Sequence, residues 1–172
     1  MNRWEYLKAE PFLTRYVIAA RWLRDCMEII EVGGYQNCIA DFLPRGQPYS
    51  VFAVDPLLEW TGERAICIKK RIQDVDINEF RLSRYGLLML GFDIMDESQD
   101  KIVEMAKEAA IMVVEYPLRH LPSVRKVTDI ITRANLEIKM RVLLNLEGNS
   151  VESSEKYPPF WERQMFLLER HK

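Results

Sequence analysis

The sequence predicts a doubly wound α/β fold of Rossmann type: seven strands, mostly parallel, with a C-terminal antiparallel hairpin and helices on both faces. Three observations predict it. Short β-branched or apolar runs alternate with helical patterns over the first two thirds of the chain. Runs such as "AIMVVEY" are apolar on both faces, as strands of a covered parallel sheet are. The last two strand-like runs have only a polar stretch between them, so they pair most simply as a hairpin.

The elements follow in order. Residues 11–25 place Phe12, Tyr16, Val17, Ala20 and Leu23 at helical spacing, with Pro11 suited to a first turn. Strands are expected at "MEIIEV" (27–32), "SVFAVD" (50–55), "AICIKKRI" (65–72), "GLLMLGF" (86–92) and "AIMVVEY" (110–116). The clearest helix, "DESQDKIVEMAKEAA", gathers acids in its first turn, where the helix dipole favours them. "LEIKMRVLLNLEG" (136–148) and "FWERQMFLLERHK" (160–172) form the closing pair, joined by the irregular "EGNSVESSEKYPPF".

At 172 residues the chain fits one domain, a leading helical segment at 1–25 and an α/β core at 26–172. Hydrophobic residues at 48% and charged residues at 29% are globular proportions. The 24 Lys plus Arg against 26 Asp plus Glu give a net charge of −2, with no general attraction to nucleic acid or anionic membrane. Cys26, Cys38 and Cys67 have no metal-ligand spacing, and their odd number argues against a disulfide framework. No run reaches the ~18 apolar residues of a membrane span, and a cytoplasmic location is expected. The scattered Met residues suit core filling, and no metal site is expected. An exposed final strand would offer pairing to another copy, though nothing requires an oligomer.

Open α/β sheets bind ligands beyond the carboxyl ends of their strands. In "EVGGYQNC" Gly33 and Gly34 let backbone approach a ligand, and Glu31 can accept from an ammonium group directly or through water. Asp55 ends the second strand about twenty residues after the glycines, where an acid meets ribose hydroxyls. Asp55 followed by Pro56 also suits the cap of a helix. Asp74 in "QDVD" is a candidate for an adenine amino group, with Ile72 or Val75 on the ring. Gly91, Phe92 and Asp93 follow the fourth strand, near the reacting end of a cofactor. Glu115, Tyr116, Arg119 and His120 follow the fifth; Asp93, Glu115 and His120 are candidate bases, and His120 equally suits a helix cap. Arg15 and Tyr16 are placed to reach a cofactor carboxylate if the leading helix closes over the crevice, although Tyr16 also fits the core.

This layout resembles the class I S-adenosylmethionine-dependent methyltransferases over nearly the whole chain. Their first strand ends in acid-x-Gly-x-Gly-x-Gly, which Glu31, Val32 and Gly33 begin, while Tyr35 and Asn37 stand at the second and third glycines. The resemblance implies S-adenosylmethionine as cofactor and S-adenosylhomocysteine as product. It places Asp55 on the ribose, Asp74 at the adenine, Gly91 and Phe92 beside the sulfur, and the Gly33, Gly34 and Tyr35 turn along the cofactor. A small-molecule acceptor is expected, with no nucleic-acid or membrane partner. The alternative is an inactive methyltransferase-like binding or scaffold subunit, motivated by Tyr35 and Asn37, since a Tyr at positive φ would be strained. A nicotinamide enzyme needs Gly-x-Gly-x-x-Gly, a spacing "GGYQNC" lacks.

Overall fold

The computed structural model describes residues 10–34, 36–80, 84–90, 96–118, 120–145, 150–152 and 163–171. Helix α1 (Glu10–Trp22) leads into β1 (Glu28–Val32), β2 (Ser50–Val54), β3 (Ile66–Ile68) and β4 (Gly86–Leu90). There follow α2 (Asp96–Glu108), β5 (Ile111–Pro117), α3 (Leu121–Arg133), β6 (Leu136–Leu144), β7 (Ser150–Glu152) and β8 (Arg163–Arg170). The strands form one sheet in the order β3-β2-β1-β4-β5-β8-β6-β7. The first five are mutually parallel, and β8 runs antiparallel to both β5 and β6.

Alternation along the strands sorts the core into two layers. Ile30, Leu87, Met112 and Val114 pack against α2 and α3, which contribute Ile102, Met105, Val127 and Ile130. Ile29, Leu88 and Val113 pack on the other face against Tyr16, Ala19 and Leu23 of α1. Every residue of β4 is buried, as expected of a central strand covered on both sides. Helix α2 opens on Asp96 and Glu97 and ends with Lys107, both favourable to its dipole. Helix α3 has Pro in its first turn, and the chain leaves it through Asn135 at φ 52°, a left-handed position that Asn tolerates.

The seven expected strands are present, and the three-residue β7 adds an eighth at the edge beside β6. The closing pair is antiparallel as expected, with β8 also docked on β5. The final strand is therefore interior, and the sheet edges are β3 and β7. Strand β3 is shorter than residues 65–72 because Lys69, Lys70 and Arg71 are exposed, and a short edge strand resists unwanted pairing.

The connections around β2 depart most from the sequence reading. Among the described residues between β1 and β2 the helical structure is a single 3-10 turn, Ile39–Asp41, and Asp55-Pro56 opens a turn rather than a helix. Trp60 fills the resulting space: its indole Nε1 donates to Asp41 Oδ2 at 2.7 Å and the residue is 9% exposed. The ring folds back over its own chain, so that a Cβ at Gly62 would lie 2.1 Å from Trp60 Cζ2. Gly62→Ala must therefore displace the indole and strain its bond to Asp41. The expected cost is about 1–3 kcal/mol in urea unfolding, with a change in tryptophan emission.

Among the described residues no helix is long and apolar enough to cross a membrane, and no group of His, Cys, Asp or Glu is arranged to hold a metal ion.

Candidate functional site

The order of the parallel strands reverses between β1 and β4, so the crevice lies beyond their carboxyl ends. At the end of β1, Gly33 takes φ 87° and its N–H donates to Val54 O at 3.0 Å, binding the turn to the end of β2. Asn37 N–H then closes back on Gly34 O at 2.9 Å. A Cβ on Gly34 would stand 3.0 Å from Asn37 O and 3.3 Å from Glu31 Cδ, so this close turn needs glycine there. Asn37 is not among the described residues with positive φ, so the turn does not use its left-handed tolerance.

Glu31 lies beneath this turn, 1% exposed. Its Oε2 accepts from Ile39 N–H at 2.7 Å, at the start of the 3-10 turn, whereas its equally buried Oε1 accepts no hydrogen bond from the described residues. Burial pushes the carboxyl up to about 7; the Ile39 amide, the nearby Cys38 thiol and Tyr16 hydroxyl, and the Arg15 charge work in the opposite direction. A buried acceptor without a donor is costly and calls for a physical explanation.

Tyr16 is core and loop support at once. It is 2% exposed, stacks on Phe42 with centroids 4.9 Å apart, and donates its hydroxyl hydrogen to Asn37 O at 3.3 Å. One strand over, Asp55 Oδ1 accepts from Leu57 N–H at 2.7 Å, which explains its local turn. The loops after β1 and β2 are joined by Gln36 Nε2 donating to Glu59 Oε2 at 2.5 Å.

No protein-family model and no curated relative matches the chain. Solved structures do. A TehB-like SAM-dependent methyltransferase from Corynebacterium glutamicum is 14% identical, covers 98% of this chain and 95% of its own, and superposes with TM-score 0.65. The CcbJ methyltransferase from Streptomyces caelestis is 10% identical with coverage of 96% and 98% and TM-score 0.65. The plantazolicin methyltransferase BpumL, in complex with SAH, is 10% identical with coverage of 96% and 88% and TM-score 0.62. The chain has the class I methyltransferase fold.

Within this methyltransferase fold, Glu31, Gly33, Gly34 and Asp55 gather at the ends of the neighbouring strands β1 and β2. Asp74 is exposed at the end of the 3-10 turn Ile72–Asp74, after β3. Ile72 and Val75 are 3% and 5% exposed and belong to the core under α2, so neither offers a face to a ring. Tyr35, Gly91, Phe92, Asp93 and Arg119 lie outside the described residues.

The end of β5 corrects the expected roles. Glu115 is buried between two guanidinium groups: Arg15 Nη1 on α1, 3.3 Å from Oε2, and Arg163 Nε on β8, against Oε1. This geometry makes Glu115 a structural counter-ion rather than a poised base, and turns Arg15 toward β5 instead of a cofactor carboxylate. Tyr116 is 4% exposed and packs edge-on against Phe166, centroids 5.7 Å apart. His120 stands exposed at the N-cap position of α3, where its side chain caps no amide but places Nδ1 2.7 Å from Ser123 Oγ. Sequence reasoning missed Arg163. The signal for it was an acid inside the apolar strand "MVVEY", which requires a buried cation from a neighbouring element.

Proposed function

We propose that the chain binds S-adenosylmethionine at the carboxyl ends of β1 and β2 and transfers its methyl group to a small molecule. The observation that carries this reading is Glu31 Oε1, a fully buried acceptor without a donor among the described residues, beneath the Gly33-Gly34 turn. The cofactor's ammonium group supplies the kind of donor that atom needs, and Asp55 on the adjacent strand supplies a carboxylate for the ribose hydroxyls. The residues present therefore fit the group. The SAH complex of BpumL adds support through the shared fold.

When bound, the sulfonium supplies an already activated methyl donor. The chain's own work is then to orient and shield. Gly33 and Gly34 keep side chains out of the approach, Glu31 takes a cationic group, and Tyr16 holds the turn through Asn37 O. If the acceptor must lose a proton, His120 is the candidate base among the described residues, since Glu115 is committed to its two arginines.

The test is isothermal titration with S-adenosylmethionine and S-adenosylhomocysteine on protein first freed of carried-over ligand. One saturable site per chain is expected; folded protein without binding sinks the reading. Asp55→Asn keeps an oxygen for the Leu57 amide while removing the carboxylate charge. It should weaken cofactor binding about tenfold or more with little change in thermal stability. Unchanged affinity would remove Asp55 from the ribose.

A further inference from the structure

Parallel sheets need cover on both faces, and here α1 lies over β4 and β5 and against the 3-10 turn at Ile39–Asp41. With no longer helix among the described residues between β1 and β2, a pocket of about 350 Å³ remains beside the first residues of β2 and β3. This is within the size range of small-molecule sites. It sits at the amino ends of these strands, opposite the Gly33 turn and Asp55, so a ligand there is independent of the proposed cofactor.

Ala65 and Ile66 give the pocket apolar surface over the buried Leu43 and Val51, Ile66 being 57% exposed, while Gln47, Tyr49 and Ser50 add polar groups to its lining. Glu63 and Arg64 line the same pocket with opposite charges. Neither forms an ion pair with the other or with another described residue. Arg64 is nonetheless fixed: its Nη2 donates to Leu43 O and Pro44 O, both at 3.2 Å. A guanidinium anchored by carbonyls keeps its charge available and retains Nη1 and Nε as donors. An anchored cation, an unpaired carboxylate and an apolar wall therefore face one concavity.

We infer that this pocket binds an amino-acid-like zwitterion with an apolar side chain, its carboxylate on Arg64, its ammonium on Glu63 and its hydrocarbon against Ala65 and Ile66. Three probes sharing one hydrocarbon body separate the contributions: norleucine, hexanoate and hexylamine. Methyl NMR of the full chain reads binding at Leu43, Val51 and Ile66, with methyls elsewhere as the control for folding. Norleucine is expected to shift these signals saturably and to bind about tenfold more tightly than either single-charge probe. Glu63→Gln, an exposed change that leaves the Arg64 anchor intact, should reduce norleucine to the level of hexanoate. Arg64→Gln should reduce it to the level of hexylamine. The assignment is overturned if none of the probes shifts these methyls, if hexanoate or hexylamine matches norleucine, or if Glu63→Gln leaves norleucine affinity unchanged.

Discussion

Glu115→Ala lowers the unfolding free energy by about 3–5 kcal/mol, a loss larger than that expected from Gly62→Ala or Asp55→Asn. The size comes from the charges left behind. Arg15 and Arg163 are 2% and 9% exposed, and removing the carboxylate between them leaves two guanidinium groups buried side by side. Their repulsion is poorly screened at that depth. The triad itself is not an efficient source of stability, because desolvating three charges consumes most of what their attraction returns. A triple variant with Arg15→Met, Glu115→Leu and Arg163→Met should therefore recover most of the loss. Urea unfolding of the single and triple variants checks both statements. If Glu115→Ala costs less than about 1 kcal/mol, the cluster is more hydrated than its burial implies.

The same cluster shows what was legible in the sequence. Local patterns carried most of the strands, because apolar runs bounded by turn residues reflect requirements each segment meets by itself. The α1 and α2 periodicities and the antiparallel closing pair were readable for the same reason. Partnerships across the sheet were not. Nothing near Arg15 indicates that it will meet Glu115 a hundred residues later, because that contact depends on where α1 lies over the sheet. Around β2 the error was of another kind. Asp55-Pro56 has the chemistry of a helix start, but the following stretch instead folds Trp60 against Asp41, a tertiary contact that overrides local preference. The placement of Glu31, Gly33 and Asp55 at the ends of β1 and β2 was legible, because apolar strand runs end there in an acid soon followed by glycine or proline. The orphaned Oε1 of Glu31 was not, since it depends on packing from α1 and the 3-10 turn.

Glu31→Gln should stabilise the protein at pH 8 and weaken its cofactor binding, two opposed effects with one origin. The carboxyl has an ordinary value of 4.5 and is raised to about 7 in the folded protein, chiefly by burial. The folded state thus holds this proton more tightly than the unfolded chain does, so the native state carries no penalty below pH 4.5. Stability falls as pH rises from that value through about 7, and above it the full penalty is present, on the order of 3 kcal/mol. Glutamine keeps an oxygen for the Ile39 amide and carries no charge to desolvate. Its unfolding free energy should therefore match the parent near pH 4.5 and exceed it at pH 8, and an equal difference at both pH values would refute the linkage. On the proposed function, the neutral amide is also a poorer partner for an ammonium group, and S-adenosylmethionine affinity should drop about tenfold or more. A chain that retains a buried carboxyl with one oxygen unpartnered among the described residues gives up stability as pH rises through about 7, and a cationic ligand at Oε1 is the return that makes the cost intelligible.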